Sequence, residues 1–190
     1  MKRAFMCLIL AATFTRSSGQ GVFDNQTIAA LQKVIGDYPH RFENIRGRVL
    51  DQRSQTTDFQ STVEIPGAIH CTVSKYKSPE KDLYSWTCLL YSNNSFNNSK
   101  NEFKSLYNQI ANSIIKLQGE KAFILNGSYN DPDERQNINS VMFQLLPAPG
   151  EMQKLKIELQ LFRKQSDWDI RLMVYEQDTA AEIPSSSARR

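Results

Sequence analysis

The chain carries little of what chemistry usually needs. Three cysteines and two histidines occur in 190 residues, and neither His40 nor His70 has a ligand at metal-site spacing. No G-x-S-x-G, no phosphate-cradling glycine pattern and no H-E-x-x-H is present. These absences point away from a nucleophile elbow, a nucleotide loop and a zinc protease, and no cofactor is expected. No run of eighteen apolar residues exists, so a membrane-spanning helix is not expected either. An excess of positive charge is also missing. Against 20 acidic residues there are 23 basic ones, and no basic stripe is interleaved with aromatics. That argues against nucleic acid as a partner.

The start of the chain explains the small basic surplus. Met1-Lys2-Arg3 is followed by an apolar run over 4–14 and a short small-residue region over 15–19. This is the pattern of a secretory signal peptide, expected over 1–19. Lys2, Arg3 and Arg16 fall within it and no acid does, so the remainder is balanced in charge. A single domain is expected over 20–176. The end of the chain, 177–190, has no periodicity and reads as a disordered tail.

What is present is patterned apolar sequence. Over 68–91 two strands flank the polar turn KSPEKD. Pairing them so that partner numbers sum to 159 sets Ile69 against Leu90, Cys71 against Cys88, Val73 against Trp86 and Lys75 against Tyr84. One face then holds Ile69, Cys71, Val73, Trp86, Cys88 and Leu90, because side chains alternate across a strand. A one-residue slip would scramble this sorting. Processing would leave Cys71 and Cys88 as the only cysteines. They are a disulfide candidate in an oxidising compartment, or else two buried thiols acting as small hydrophobes.

The other elements follow from periodicity. A first helix is expected from Asp24 to about Gly36, capped by Asp24, with Ile28, Leu31, Val34 and Ile35 as its stripe. A strand over 45–51, a polar loop over 52–57 and an alternating strand over 59–65 lead into the hairpin. The capping box Ser99-Lys-Asn-Glu102 predicts a second helix. Its stripe runs Phe103, Leu106, Tyr107, Ile110, Ala111, Ile114 and Leu117, with Gly119 beyond its end. Leu106, Ile110 and Ile114 are expected against the sheet. Short strands over 121–125 and 141–146 follow. In a last hairpin Leu155, Ile157, Leu159 and Leu161 alternate with Lys156, Glu158 and Gln160, and Trp168, Ile170, Leu172 and Val174 alternate with Asp169, Arg171 and Met173, about a turn at 164–167. The fold class is α+β. An antiparallel sheet of about seven or eight strands is expected, with two amphipathic helices on it, in the order α-ββββ-α-ββββ.

Candidate chemistry is sparse. A Cys88–His70 pair fails because His70 points to the opposite face from both sulfurs. Asp131, Asp133 and Glu134 cluster in one loop, where a solvated turn outranks acid–base or calcium roles. The sequons at Asn25, Asn93, Asn97 and Asn126 matter only in a glycosylating pathway.

The segment DYPHRFENIRG, 37–47, following a helix and a short leader, resembles small exported proteins of unknown function from Bacteroidetes-type bacteria. That resemblance implies a periplasmic or surface location, weighs against glycosylation and carries no activity or site residues. Three functions remain. The first is an exported, non-enzymatic binding or interaction module, suggested by Tyr76, Tyr84, Tyr91 and Tyr129 near strand ends and loops. The second is a carrier of a small apolar ligand between sheet and helices, and the third an enzyme with dispersed residues. The partner is accordingly an unknown protein or a small apolar ligand.

Overall fold

The computed structural model describes residues 24–147 and 150–176. The expected leader and tail lie outside the described residues, as does the side chain of Asp24 with its capping role. Among the described residues two α-helices, α1 (Asp24–Asp37) and α2 (Phe96–Ile110), accompany nine strands. These are β1 (Arg46–Gln52), β2 (Thr56–Ser61), β3 (His70–Tyr76), β4 (Leu83–Asn93), β5 (Ile114–Ile115), β6 (Phe123–Gly127), β7 (Ile138–Leu146), β8 (Leu155–Lys164) and β9 (Asp167–Glu176). One antiparallel sheet results, in the order β1-β2-β3-β4-β9-β8-β7-β6-β5. The expected α+β class holds. Each half of the chain is a helix followed by a meander, and the last strands of the two meanders, β4 and β9, meet at the centre.

The mirror register of the β3–β4 hairpin is present from His70↔Leu89 to Tyr76↔Leu83, so every pair sums to 159. Cys71 faces Cys88 and the two form a disulfide. Val73, Trp86 and Cys88 are fully buried and Cys71 nearly so. Trp86 is held by its indole N–H, which donates to Ser61 Oγ at 2.9 Å. The Ser61 hydroxyl also accepts the Val63 N–H and donates to the Val63 carbonyl. That local ring turns the chain out of the sheet, so β2 ends at Ser61 rather than at residue 65. Ile69 departs from the expected face. It precedes the strand and is 55% exposed.

The second helix differs at both ends. It begins at Phe96, capped by Ser95, whose side chain accepts the Asn98 N–H. Ser99, the expected cap, lies inside the helix, fully buried with its hydroxyl toward the Trp168 carbonyl. At the far end Ala111 is extended and Asn112 is left-handed at φ 62°. Asn112 and Leu125 then begin a ladder that pairs Ile114 with Ile124 and Ile115 with Phe123. Two β-branched residues suit a strand better than a helix terminus. The expected burial of Ile114 is therefore wrong: it is 55% exposed, whereas Leu106 and Ile110 are buried as expected.

The helices cover one sheet face. Leu31, Val34 and Ile35 of α1 and Phe103, Leu106 and Ile110 of α2 pack with Trp86, Phe143, Leu159, Leu161, Ile170 and Leu172 in one core. Tyr107 lies against Phe143 with ring centroids 5.9 Å apart and donates to the Gly127 carbonyl at 2.9 Å. Gly127 is required there, because a Cβ would come within 2.7 Å of the Phe143 ring.

Two outcomes follow from this packing. Ile110→Ala should lower the unfolding free energy by about 2–4 kcal/mol, and Ile114→Ala by less than about 0.5 kcal/mol, both read from denaturant midpoints. Equal shifts would contradict the helix boundary. The buried disulfide should resist reductant until denaturant is added. Replacing both cysteines with alanine should lower stability by up to about 3 kcal/mol, the value for so short a closed loop.

Candidate functional site

The face of the sheet turned away from the helices carries the most organised polar group among the described residues. It arises from the β8–β9 hairpin, which closes through a tight turn at Gln165, left-handed at φ 57°. Once Leu155, Ile157, Leu159 and Leu161 face the helices, Glu158, Gln160 and Phe162 must face the other way. The same holds for Arg171, Met173 and Tyr175 on β9. Cross-strand register sets Gln160 opposite Arg171 and Glu158 opposite Met173.

These side chains form one chain of hydrogen bonds. Arg171 Nε donates to Gln160 Oε1 at 2.8 Å, and Gln160 Nε2 donates to Glu158 Oε1 at 2.7 Å. The Tyr175 hydroxyl donates to Glu158 Oε2 at 2.9 Å. The Arg171 guanidinium stands over the Phe162 ring, 4.5 Å from its centroid. Glu158 is 8% exposed and Gln160 is 9% exposed, although both lie on the face without helices. Burial and the Glu158 charge push the Tyr175 phenol well above its ordinary value, so it stays protonated and remains a donor. The arrangement holds a guanidinium and a carboxylate in fixed positions before any ligand arrives.

Apolar groups surround this network. Met142 lies opposite Glu158 and Ile138 opposite Phe162, both well exposed. Farther along the face Leu146, Ile124 and Ile114 form a cross-strand row, each 43–55% exposed. On the other side Leu89 and Thr87 of β4 flank Arg171 and Met173. Asp169, on the same face of β9, is 4% exposed and has no hydrogen-bonding or ionic partner among the described residues. Among the described residues no fully buried side-chain oxygen lacks a partner, so the Asp169 carboxylate keeps some contact with solvent.

Compared with protein-family models and with curated proteins, the chain matches none.

The residues singled out in the sequence fall elsewhere. Cys71 and Cys88 are bonded to each other beneath the helices, and His70 is exposed on the opposite face. The acidic loop is tied down: Asp131 is paired with Lys100, and Arg135 forks onto Asp133 at 2.6–3.1 Å. The Arg135 guanidinium brings the Asp133 carboxyl down to about 2. Among the described residues no three His, Cys, Asp or Glu side chains gather in a group able to hold a metal ion. Of the four tyrosines, Tyr84, Tyr91 and Tyr129 are half-buried and Tyr76 is 44% exposed. The Glu158–Gln160–Arg171–Tyr175 network was not singled out in the sequence, where the same residues read as the solvated side of two alternating strands.

Proposed function

We propose that the protein is an exported, non-enzymatic interaction module that docks a protein partner on the uncovered sheet face. The observation that carries this reading is the network just described, a guanidinium, a carboxylate, a phenol and an amide locked together amid exposed methionine and isoleucine. Interface centres are enriched in Arg, Tyr, Phe and Met and depleted in Lys and Glu, and a partner gains most where charged anchors are already ordered.

Size favours a protein over a small molecule. Nine strands spaced about 4.8 Å apart span roughly 40 Å. That is enough for the roughly 800 Å² each side of a stable interface contributes. Asp169 adds a chemical preference, since a nearly buried carboxylate without a donor suits a partner that brings a cation or an N–H. The carrier reading finds less support, because the layer between sheet and helices is filled by side chains such as Leu31, Phe103, Ile110 and Leu159. Export rests on the leader pattern and is in keeping with the disulfide.

Site-specific photo-crosslinking in the native exported fraction tests the reading. A crosslinker at Met142 should give a discrete protein adduct, and one at the exposed α2 position Lys104 should not. Ile138→Asp, a change at a 56% exposed position on the same face, should abolish the Met142 adduct without lowering the melting temperature. No adduct at Met142, or equal adducts at both positions, would overturn the proposal.

A further inference from the structure

The uncovered face leaves the segment 37–44 without a role, and this segment is unusual in its backbone. Arg41 and Phe42 are consecutive non-glycine residues in the left-handed region, at φ 55° and 56°. Such conformations persist only where their surroundings impose them, and they cluster at ligand sites. Asp37 imposes them here. It is 7% exposed, and its carboxylate accepts the Asn44 backbone N–H at 3.0 Å and the Asn44 side-chain amide at 2.6 Å. The Phe42 N–H reaches the Asp37 carbonyl at 3.1 Å, and the Arg41 N–H reaches the Tyr38 carbonyl at 2.8 Å. Phe42 is thereby driven fully into the core, 6.2 Å from the Tyr38 ring, while Arg41 stays exposed at the surface.

Beside Arg41 is a recess of about 180 Å³, at the helix-side end of β4 and β9. Of the aromatic residues at its lining, Tyr84 is half-buried and offers ring surface, whereas Phe42 is fully buried and Tyr38 nearly so. Its two carboxylates are already neutralised: Asp82 pairs with Lys75 at 2.6 Å, and Glu176 with Lys81 at 2.6 Å. The other two cations of its lining, Arg41 and Lys154, have no ion pair or side-chain hydrogen bond among the described residues. Behind the wall, the Arg46 guanidinium lies 5.4 Å and Lys75 Nζ 5.9 Å from the Tyr84 ring centroid. The recess therefore combines aromatic surface, a positive field and two cations that lack anions.

We infer that this recess binds a small organic monocarboxylate with a planar apolar body. The carboxylate sits between Arg41 and Lys154, and the planar body lies against the Tyr84 ring. Each element of the class has its own reason. Two unpartnered cations select an anion, and charge-assisted hydrogen bonds to them are the stronger kind. Its volume of about 180 Å³ suits a body of about one ring. Inorganic phosphate meets the two cations but has no apolar body to lie against the Tyr84 ring, which disfavours it. This inference does not depend on the sheet-face reading, because the recess shares no residue with that face.

Titration of the ¹⁵N-labelled full chain with phenylacetate, phenylacetamide and inorganic phosphate tests it. Phenylacetate should give saturable shifts at the Arg41, Phe42 and Tyr84 amides. The uncharged amide and phosphate should each bind at least about tenfold more weakly. Arg41→Gln with Lys154→Gln should weaken phenylacetate binding about tenfold or more at an unchanged melting temperature, since both side chains are exposed. Arg41→Gly provides a second arm. It relieves the left-handed backbone of its Cβ, so the fold is retained while the cation is lost, and binding should again weaken. Any of three results would overturn the proposal. These are no saturable shift up to roughly 10 mM, where a ligand of this size with a ~1 mM dissociation constant would be bound, equal binding of the amide or of phosphate, and undiminished binding by the variants.

Discussion

The pairing of β4 with β9 is the constraint on which everything else depends. Each half of the chain makes a meander whose final strand would otherwise be an edge, with unpaired N–H and C=O groups. Bringing the two final strands together satisfies both edges and converts two small sheets into one of nine strands. The contact is made at the most buried positions, with Trp86 opposite Val174 and Cys88 opposite Leu172. The disulfide reinforces β4 from its other side, so one strand is fixed to β3 covalently and to β9 by its ladder. At the outer edge, β1 is interrupted by two register irregularities, and Arg48 and Asp51 lie along it, features that blunt a free strand.

One sheet with helices on a single face makes its two faces unequal. On the helix side polar groups are rare and paired, as with the Trp86 indole and the Ser61 hydroxyl. On the other side, polar side chains at the centre are shielded by neighbouring strands rather than by a second layer. That is how Glu158 and Gln160 become nearly inaccessible without entering the core. A carboxylate in that setting is tolerated only because the Tyr175 hydroxyl and the Gln160 amide satisfy it.

The legible parts of the fold were those where apolar period and local geometry agree. The β3–β4 register was readable because six apolar residues sort to one face in a single alignment, and the disulfide followed from it. The end of α2 was not readable. Ile114 and Leu117 continue a helical spacing, and nothing local announces that Asn112 turns left-handed and releases Ile114 and Ile115 to pair with β6. The start of α2 failed for a related reason: Ser95 and Ser99 are both chemically competent caps, and tertiary contact with Trp168 buries the second one. The network on the open face was illegible in principle. Alternation shows that Glu158 and Arg171 leave the core, but their burial depends on which strands flank β8 and β9, and that is a property of the assembled sheet.

The length of β4 ties the two proposed sites to the same element. Its register with β9 shifts between Leu89 and Tyr91, so one extra residue, Leu90, is absorbed. Before the irregularity Leu89 stands beside Arg171 on the open face. After it Tyr91 turns to the helix side opposite Ile170, and Ser92 comes opposite Asp169. The strand then runs directly into the cap of α2, where the Asn93 side chain accepts the Ser95 N–H at 2.8 Å. At its other end Tyr84 forms a wall of the aromatic recess. A straight β4 would put Tyr91 on the open face and remove an apolar partner of the core. The bulge is therefore what allows a single strand to complete the open face, the core and the helix start together.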